Sequence, residues 1–207
     1  MPVTSSTPAG QSSSQPISST GGRSAEVSLS APASKSAVKE AGSSWANKLD
    51  PGAVAAVRSY TGTAYTNINA TLRGIEQKFD DGNDICAITL HQSLGKAELP
   101  CDCTVYRGTS SRALGALRFL PDSMIVGKTI MDEGFMSTSL NQGDAFGGDV
   151  LLEIEAPSGS HGAYVGDISS AGHHESEVLF DAGQIMTIVG ASHDNTGRRI
   201  IKVRLLK

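Results

Sequence analysis

Residues 173–180, His-His-Glu-Ser-Glu-Val-Leu-Phe, set two carboxylates one residue apart where a polar loop enters an apolar run. Side chains alternate along a strand, so Glu175 and Glu177 are expected on the same side of a sheet. Like charges that close are costly to hold. A fold keeps them either at a wet rim or in a site that uses negative charge, facing a cationic transition state or a guanidinium group. Taken alone, the pair reads as two solvated glutamates at a strand edge. Two upstream segments change that reading. Val105-Tyr106-Arg107-Gly108 looks like a strand running from Thr104, with an arginine pinned between an aromatic and a glycine, and a buried strand rarely takes a guanidinium unpaired. Gly134-Phe135-Met136-Ser137-Thr138-Ser139 leads a strand-like Phe-Met into three hydroxyls, which on their own hold a turn or loop by side-chain to backbone hydrogen bonds.

Taken in order, Tyr-Arg-Gly, Phe-Met-Ser-Thr-Ser and Glu-Ser-Glu ahead of an apolar strand resemble the arginine-glutamate (R-S-ExE) class of bacterial mono-ADP-ribosyltransferase toxins and effectors. Within it, the chain looks most similar to the actin-modifying enzymes. No single motif is strong; their order and spacing make the resemblance specific, and it spans residues 50–207. Tyr60, Tyr65 and Asn69 add a fourth match, resembling the aromatic-aromatic-asparagine spacing on the helix before the core in those toxins. Without the other motifs, the two tyrosines read as core packing.

The resemblance implies NAD⁺ as co-substrate, no metal, and a division of labour. Cleaving the N-glycosidic bond of NAD⁺ expels nicotinamide and leaves an oxocarbenium-like ribose, so developing positive charge must be stabilised. Glu177 is implied as the carboxylate that holds the ribose 2′-hydroxyl, and Glu175 as the group that holds the acceptor arginine and draws off its proton. Relatives that modify asparagine carry glutamine at the Glu175 position. Arg107 is implied to pair with a phosphate or brace the nicotinamide end, and Gly108 to let backbone approach the carboxamide. Ser137 would hold Glu177 by a side-chain hydrogen bond, with Thr138 and Ser139 supporting the sheet at the cofactor. Phe146 would stack on nicotinamide, but the arginine that relatives place nearby has no obvious counterpart, and Asp149 sits near that position. The loop 166–174, with Ile168 in it and Tyr164 just before it as the bulkiest residues, would face the protein substrate.

These residues must be positioned by a domain of ordinary size. The chain has 207 residues, 39% of them hydrophobic, and a formal net charge of −4, with no basic run that could track phosphates, so nucleic acid is not an expected partner. Cys86, Cys101 and Cys103 are odd in number and lack CxxC spacing, which reads as free thiols. His173-His174-Glu175 invites a metal reading, but adjacent histidines seldom converge on one ion and no HExxH motif is present. Residues 1–45 are rich in Ser, Pro, Thr, Ala and Gly and are expected to be a disordered tail, either an export signal or a linker. The tail has no apolar core of about 7–15 residues of the kind a general secretory signal needs, and nothing later is long enough to span a membrane.

From 46 to 207 a catalytic domain is expected. Asp50-Pro51 is a helix cap and first-turn pair, Val54, Val57 and Tyr60 recur at helical spacing, and a second helix carries Tyr65, Ile68, Leu72 and Ile75. Strands are expected at 104–106, 134–136, 150–155, 163–165, 177–180, 184–189 and 200–206. Helices followed by many short strands define an α+β class. The resemblance adds two packed antiparallel sheets around an NAD cleft, in a monomer secreted to act in the host cytosol on a host protein, actin being the leading candidate. The alternative is a non-enzymatic binding module that keeps the same fold.

Overall fold

The structure, a computed structural model, describes residues 31–170, 172 and 176–207. Four helices come first. Helix α1 (Ala31–Ala46) is followed by α2 (Pro51–Ser59), where Asp50 is extended and accepts a 2.9 Å hydrogen bond from the Ala53 amide while Pro51 takes the first turn. The chain then widens into a π-helical turn, Tyr60–Ala64, before α3 (Tyr65–Leu72) and α4 (Asn83–Leu94). No helix among the described residues is long and apolar enough to cross a membrane.

The tail expected over 1–45 is corrected in its described part, since 31–46 is helix. Its apolar stripe is thin, but it packs well: Val38 is buried, and Gly42 approaches Tyr164 so closely that a Cβ there would lie 2.5 Å from the Tyr164 carbonyl oxygen. Trp45 donates its indole N–H to Ser93 O at 3.2 Å, tying α1 to α4. Residues 1–30 lie outside the described residues.

Eight strands follow: β1 (Cys103–Thr109), β2 (Thr129–Asp132), β3 (Met136–Ser139), β4 (Val150–Ala156), β5 (Gly162–Tyr164), β6 (Glu177–Phe180), β7 (Gln184–His193) and β8 (Arg199–Leu205). A 3₁₀ segment, Ser111–Phe119, and the short helix α5 (Asp122–Ile125) lie between β1 and β2. The expected pair of antiparallel sheets is corrected to one mixed sheet with strand order β2-β7-β8-β4-β1-β3-β6-β5. Two facts explain the difference. The part containing β3, β6 and β5 joins the rest through one residue pair, Tyr106 with Ser139, and β4 runs parallel to β8. A parallel pair needs a long crossover, which the chain supplies by building β5, β6 and β7 between them.

Alternation along the strands serves two cores. Val105, Leu152, Ile154, Val178, Phe180, Ile188, Ile201 and Val203 fill one side. Leu179 and Phe135 face the other, against Val57, Tyr60, Ile68, Leu90 and Leu94 of the helices. That second cluster presses α2, the π-helical turn and α3 against β5, β6 and the residue leading into β3. The three cysteines are thiols.

Candidate active site

The π turn sets the helical wall. Its wider winding brings Tyr60 and Tyr65, five residues apart, into edge contact with ring centroids 6.4 Å apart. Tyr60 points inward, 1% exposed, whereas Tyr65 is 50% exposed and opens onto a cleft. The Tyr60 hydroxyl donates to Phe135 O at 3.2 Å and accepts from Asn69 Nδ2 at 2.9 Å. Burial pushes its pKa up to about 12, against the opposing pull of hydrogen bonding with Asn69 and Ser137. Asn69 clamps the same backbone from both ends, donating to Phe135 O at 3.2 Å and accepting from Phe135 N at 2.9 Å. Gly134 makes room for this: a Cβ there would sit 2.6 Å from Asn69 Oδ1 and 2.9 Å from Arg73 Nη2. Helix α3 and strand β3 are thereby fixed in register.

Strands β1, β3 and β6 supply the other wall. Arg107 donates from Nη1 to Ser137 O at 2.7 Å, and its Nη2 lies 3.7 Å from Asp132 Oδ2. Burial lowers its pKa, and the nearby negative charges of Asp132 and Glu177 oppose that shift while the Arg73 cation adds to it. Glu177 opens β6 opposite Ser139 and is 4% exposed. Ser169 Oγ donates to Glu177 Oε2 at 3.4 Å, a contact absent from the sequence reading, which assigned the Glu177 bond to Ser137 alone. Arg73, at the C-terminal end of α3, is also new: it forks onto Asp132 through Nε (2.8 Å) and Nη2 (3.1 Å).

A cleft of about 750 Å³ lies between the two walls and gathers Tyr60, Tyr65, Asn69, Arg107, Gly108, Ser137, Phe146 and Glu177 from the residues singled out by sequence, together with Arg73. Its size and mixed lining suit a dinucleotide: exposed aromatic rings for flat heterocycles, two guanidinium groups for phosphates, and one carboxylate. Thr138 and Ser139 are not on that lining but line a small adjoining pocket with Arg107, Ser137, Phe146 and Glu177. They are buried in β3, where Thr138 Oγ1 donates to Val178 O at 2.7 Å and Ser139 Oγ accepts from Asn141 N at 3.1 Å. The triple hydroxyl is therefore strand rather than turn or loop, because alternation directs Ser137 and Thr138 to opposite sides.

Around Gly108, which lines the cleft, the Phe146 peptide comes close: a Cβ at Gly108 would fall 1.6 Å from Phe146 O. Arg198, reaching in from the β7–β8 turn, donates to Phe146 O and to Val150 O, each at 3.3 Å, so a cation does stand by this loop although it comes from far along the chain. Tyr164 does not face outward; it is buried in β5 beneath α1, with Lys39 Nζ 5.6 Å from its ring centre, and Ile168 packs against the helical core. The loop itself is tied down where Ser170 N donates to Thr61 Oγ1 (2.9 Å), Ser170 Oγ donates to Arg58 O (2.8 Å), and Ser43 Oγ donates to Asp167 Oδ2.

Glu175, His173 and His174 lie outside the described residues. β6 begins at Glu177, and Ser176 before it takes a left-handed φ of 45° while its carbonyl accepts from Leu140 N.

A family profile described as ADP-ribosyltransferase exoenzyme matches residues 34–207, and the chain belongs to that family. It is 32% identical over 163 residues to a Mycobacterium avium (strain 104) protein named as a candidate NAD⁺–arginine ADP-ribosyltransferase, Mav, with 75% of this chain and 18% of that protein aligned. The chain thus spans less than a fifth of that relative's length. Among solved structures it is similar to Plx2a, an ADP-ribosyltransferase toxin from Paenibacillus larvae (TM-score 0.73, 25% identity, covering 88% of this chain and 99% of that one). It shares its fold with C3stau2 from S. aureus, solved with NAD (TM-score 0.73, 18% identity, 84% and 95% covered). The same holds for the C3 exoenzyme of Clostridium limosum (TM-score 0.71, 20% identity, 86% and 95% covered).

Proposed function

We propose that this chain transfers ADP-ribose from NAD⁺ to an arginine side chain of a host protein and releases nicotinamide. The observation that carries this reading is the buried carboxylate of Glu177 in one cleft with two guanidinium groups and two exposed aromatic rings. Arg73 and Arg107 would hold the diphosphate, Tyr65 and Phe146 would cover the flat rings, and Glu177 would sit at the ribose. As the glycosidic bond to nicotinamide lengthens, positive charge grows on the sugar, and a carboxylate kept in a mostly buried site interacts with that charge more strongly than it would in water. Ser169 and the β3 pairing hold Glu177 ready, so little reorganisation is needed when the charge appears.

Arginine as acceptor is supported by the Glu-x-Glu spacing, with Glu175 receiving the guanidinium and its proton, and by the naming of the Mycobacterium avium relative. Actin remains the leading candidate among host proteins, reached by a secreted enzyme in the host cytosol. Incubation with labelled NAD⁺ and host-cell lysate tests the whole reading. One or a few labelled protein bands, with stoichiometric nicotinamide release, are expected. A cleft that binds NAD⁺ and labels nothing would point instead to a non-enzymatic module on this fold.

A further inference from the structure

Arg73 and Arg107 come from different elements, α3 and β1, yet their guanidinium groups converge on one carboxylate. Asp132 stands at the end of β2. Its Oδ1 takes Arg73 Nε at 2.8 Å, and its Oδ2 takes Arg73 Nη2 at 3.1 Å with Arg107 Nη2 at 3.7 Å. The carboxylate is itself held by Gly134 N, which donates to Oδ1 at 3.1 Å, and the residue's backbone is fixed where Gly183 N donates to the Asp132 main-chain carbonyl at 3.0 Å. Both arginines line the cleft that contains Glu177, and both also line, together with Asp132, an adjoining cavity of about 660 Å³; Asp132 itself is not on the lining of the Glu177 cleft. The carboxylate thus holds the two cations at the boundary of the Glu177 cleft without itself lining it.

We propose that Asp132 is a positioning residue for the diphosphate-binding pair, acting through Arg73 and Arg107 without touching the ligand. The proposal rests on reading the cleft as an NAD⁺ site. Two guanidinium groups repel each other when side by side, and each lowers the other's tendency to stay charged in a buried site. The Arg107 side chain is 16% exposed and that of Arg73, at the C-terminal end of α3, is 29% exposed, so Arg73 has the wetter alternative when its partner is removed. Asp132 supplies the counter-charge and a two-point fork that sets the Arg73 plane. Three charges then total one net positive, facing a ligand group that carries two negatives. Without the carboxylate the site keeps Arg107 and loses Arg73.

Calorimetric titration of ADP-ribose and of nicotinamide into wild type and Asp132→Asn tests this, with melting temperatures measured alongside. Asparagine preserves shape and can still accept from Gly134 N. Expected is a loss of ADP-ribose affinity of roughly 10- to 100-fold, the scale of a charge-assisted hydrogen-bonded pair, with nicotinamide binding unchanged; Asp132→Glu, which restores the charge one methylene away, should fall in between. ADP-ribose binding equal to or tighter than wild type in Asp132→Asn overturns the proposal, as does an equal weakening of both ligands, which would mark a general structural role. Should the asparagine variant not fold, Asp132→Glu carries the test: weaker ADP-ribose binding supports the proposal and unchanged binding overturns it. If wild type itself binds no ADP-ribose, the reading of the cleft fails and this proposal with it, an outcome distinct from a wild type that binds and a variant that binds equally well.

Discussion

Replacing Gly108 by alanine should displace the Phe146 loop and weaken NAD⁺ binding while leaving the sheet assembled. The added Cβ would stand 1.6 Å from Phe146 O, 2.5 Å from Phe146 C and 2.8 Å from Arg198 Nη2. Two of those three atoms are backbone, so no rotamer change relieves them. Restoring an ordinary contact of 3.4 Å requires the Phe146 peptide to retreat by about 1.8 Å, more than packed atoms yield without losing neighbours. That shift breaks the 3.3 Å bond from Arg198 to Phe146 O and carries the ring with it, because Phe146 is 59% exposed and little but its backbone holds it over the cleft. Overpacking of this kind costs about 1–3 kcal/mol, and a chain of this size loses about 2–4 °C of Tm per kcal/mol. A melting curve should therefore drop by roughly 2–12 °C, and the KM for NAD⁺ in a nicotinamide-release assay should rise by about 10-fold or more, with a smaller change in kcat. Wild-type Tm together with wild-type KM would refute the packing of Phe146 on Gly108. A lowered Tm with an unchanged KM would refute the placement of Phe146 at the cofactor.

Two further outcomes follow from packing and protonation. A chain beginning at residue 47 should be less stable to urea than one beginning at 31 by at least about 2 kcal/mol, since Val38 burial and the Trp45 to Ser93 hydrogen bond are lost; equal midpoints would show that α1 does not belong to the folded unit. Stability should also fall on the alkaline side. Tyr60 ionises near its free value of 10.0 when unfolded but only at about 12 when folded, so its contribution is complete below pH 10 and is lost as pH rises through 12. The loss is roughly 2–3 kcal/mol. Cys103, pushed up to about 12 from 9.0 by burial, adds a similar decline that begins lower. Denaturant titrations from pH 8 to 12 should show a shallower decline in Tyr60→Phe than in wild type, and parallel curves would contradict the buried phenol.

Local chemistry was readable in the sequence where it acts locally. Asp50-Pro51 marks the start of α2 because an extended carboxylate followed by proline satisfies the first turn from within four residues. Glu177–Phe180 is a strand with the bounds that its apolar run suggests. What escaped depends on partners far along the chain. Helix α1 looks like tail because its Ser- and Ala-rich sequence gains burial only when Val38 and Gly42 meet β1 and β5. Arg73 was overlooked because a basic residue at a helix end has a sufficient reading in the helix dipole, and its fork onto Asp132 joins positions separated by 59 residues. Strand β2, four residues at a sheet edge with an exposed Met131, carries too little alternation to stand out. The expected pair of sheets failed for a similar reason: one register pair, Tyr106 with Ser139, decides whether the strands form one sheet or two.

The most direct measurement is nicotinamide release and protein labelling, side by side, in wild type, Glu177→Gln and Glu175→Gln. If Glu177 stabilises the sugar cation, Glu177→Gln should lose both activities by about 100- to 1000-fold, the typical worth of one preorganised electrostatic group. If Glu175 serves the acceptor, Glu175→Gln should lose labelling yet keep much of the slow hydrolysis, because water still reaches the stabilised ribose. Near-wild-type release in Glu177→Gln would contradict the assignment of the catalytic carboxylate, and equal loss of both activities in the two variants would contradict the division of labour between them.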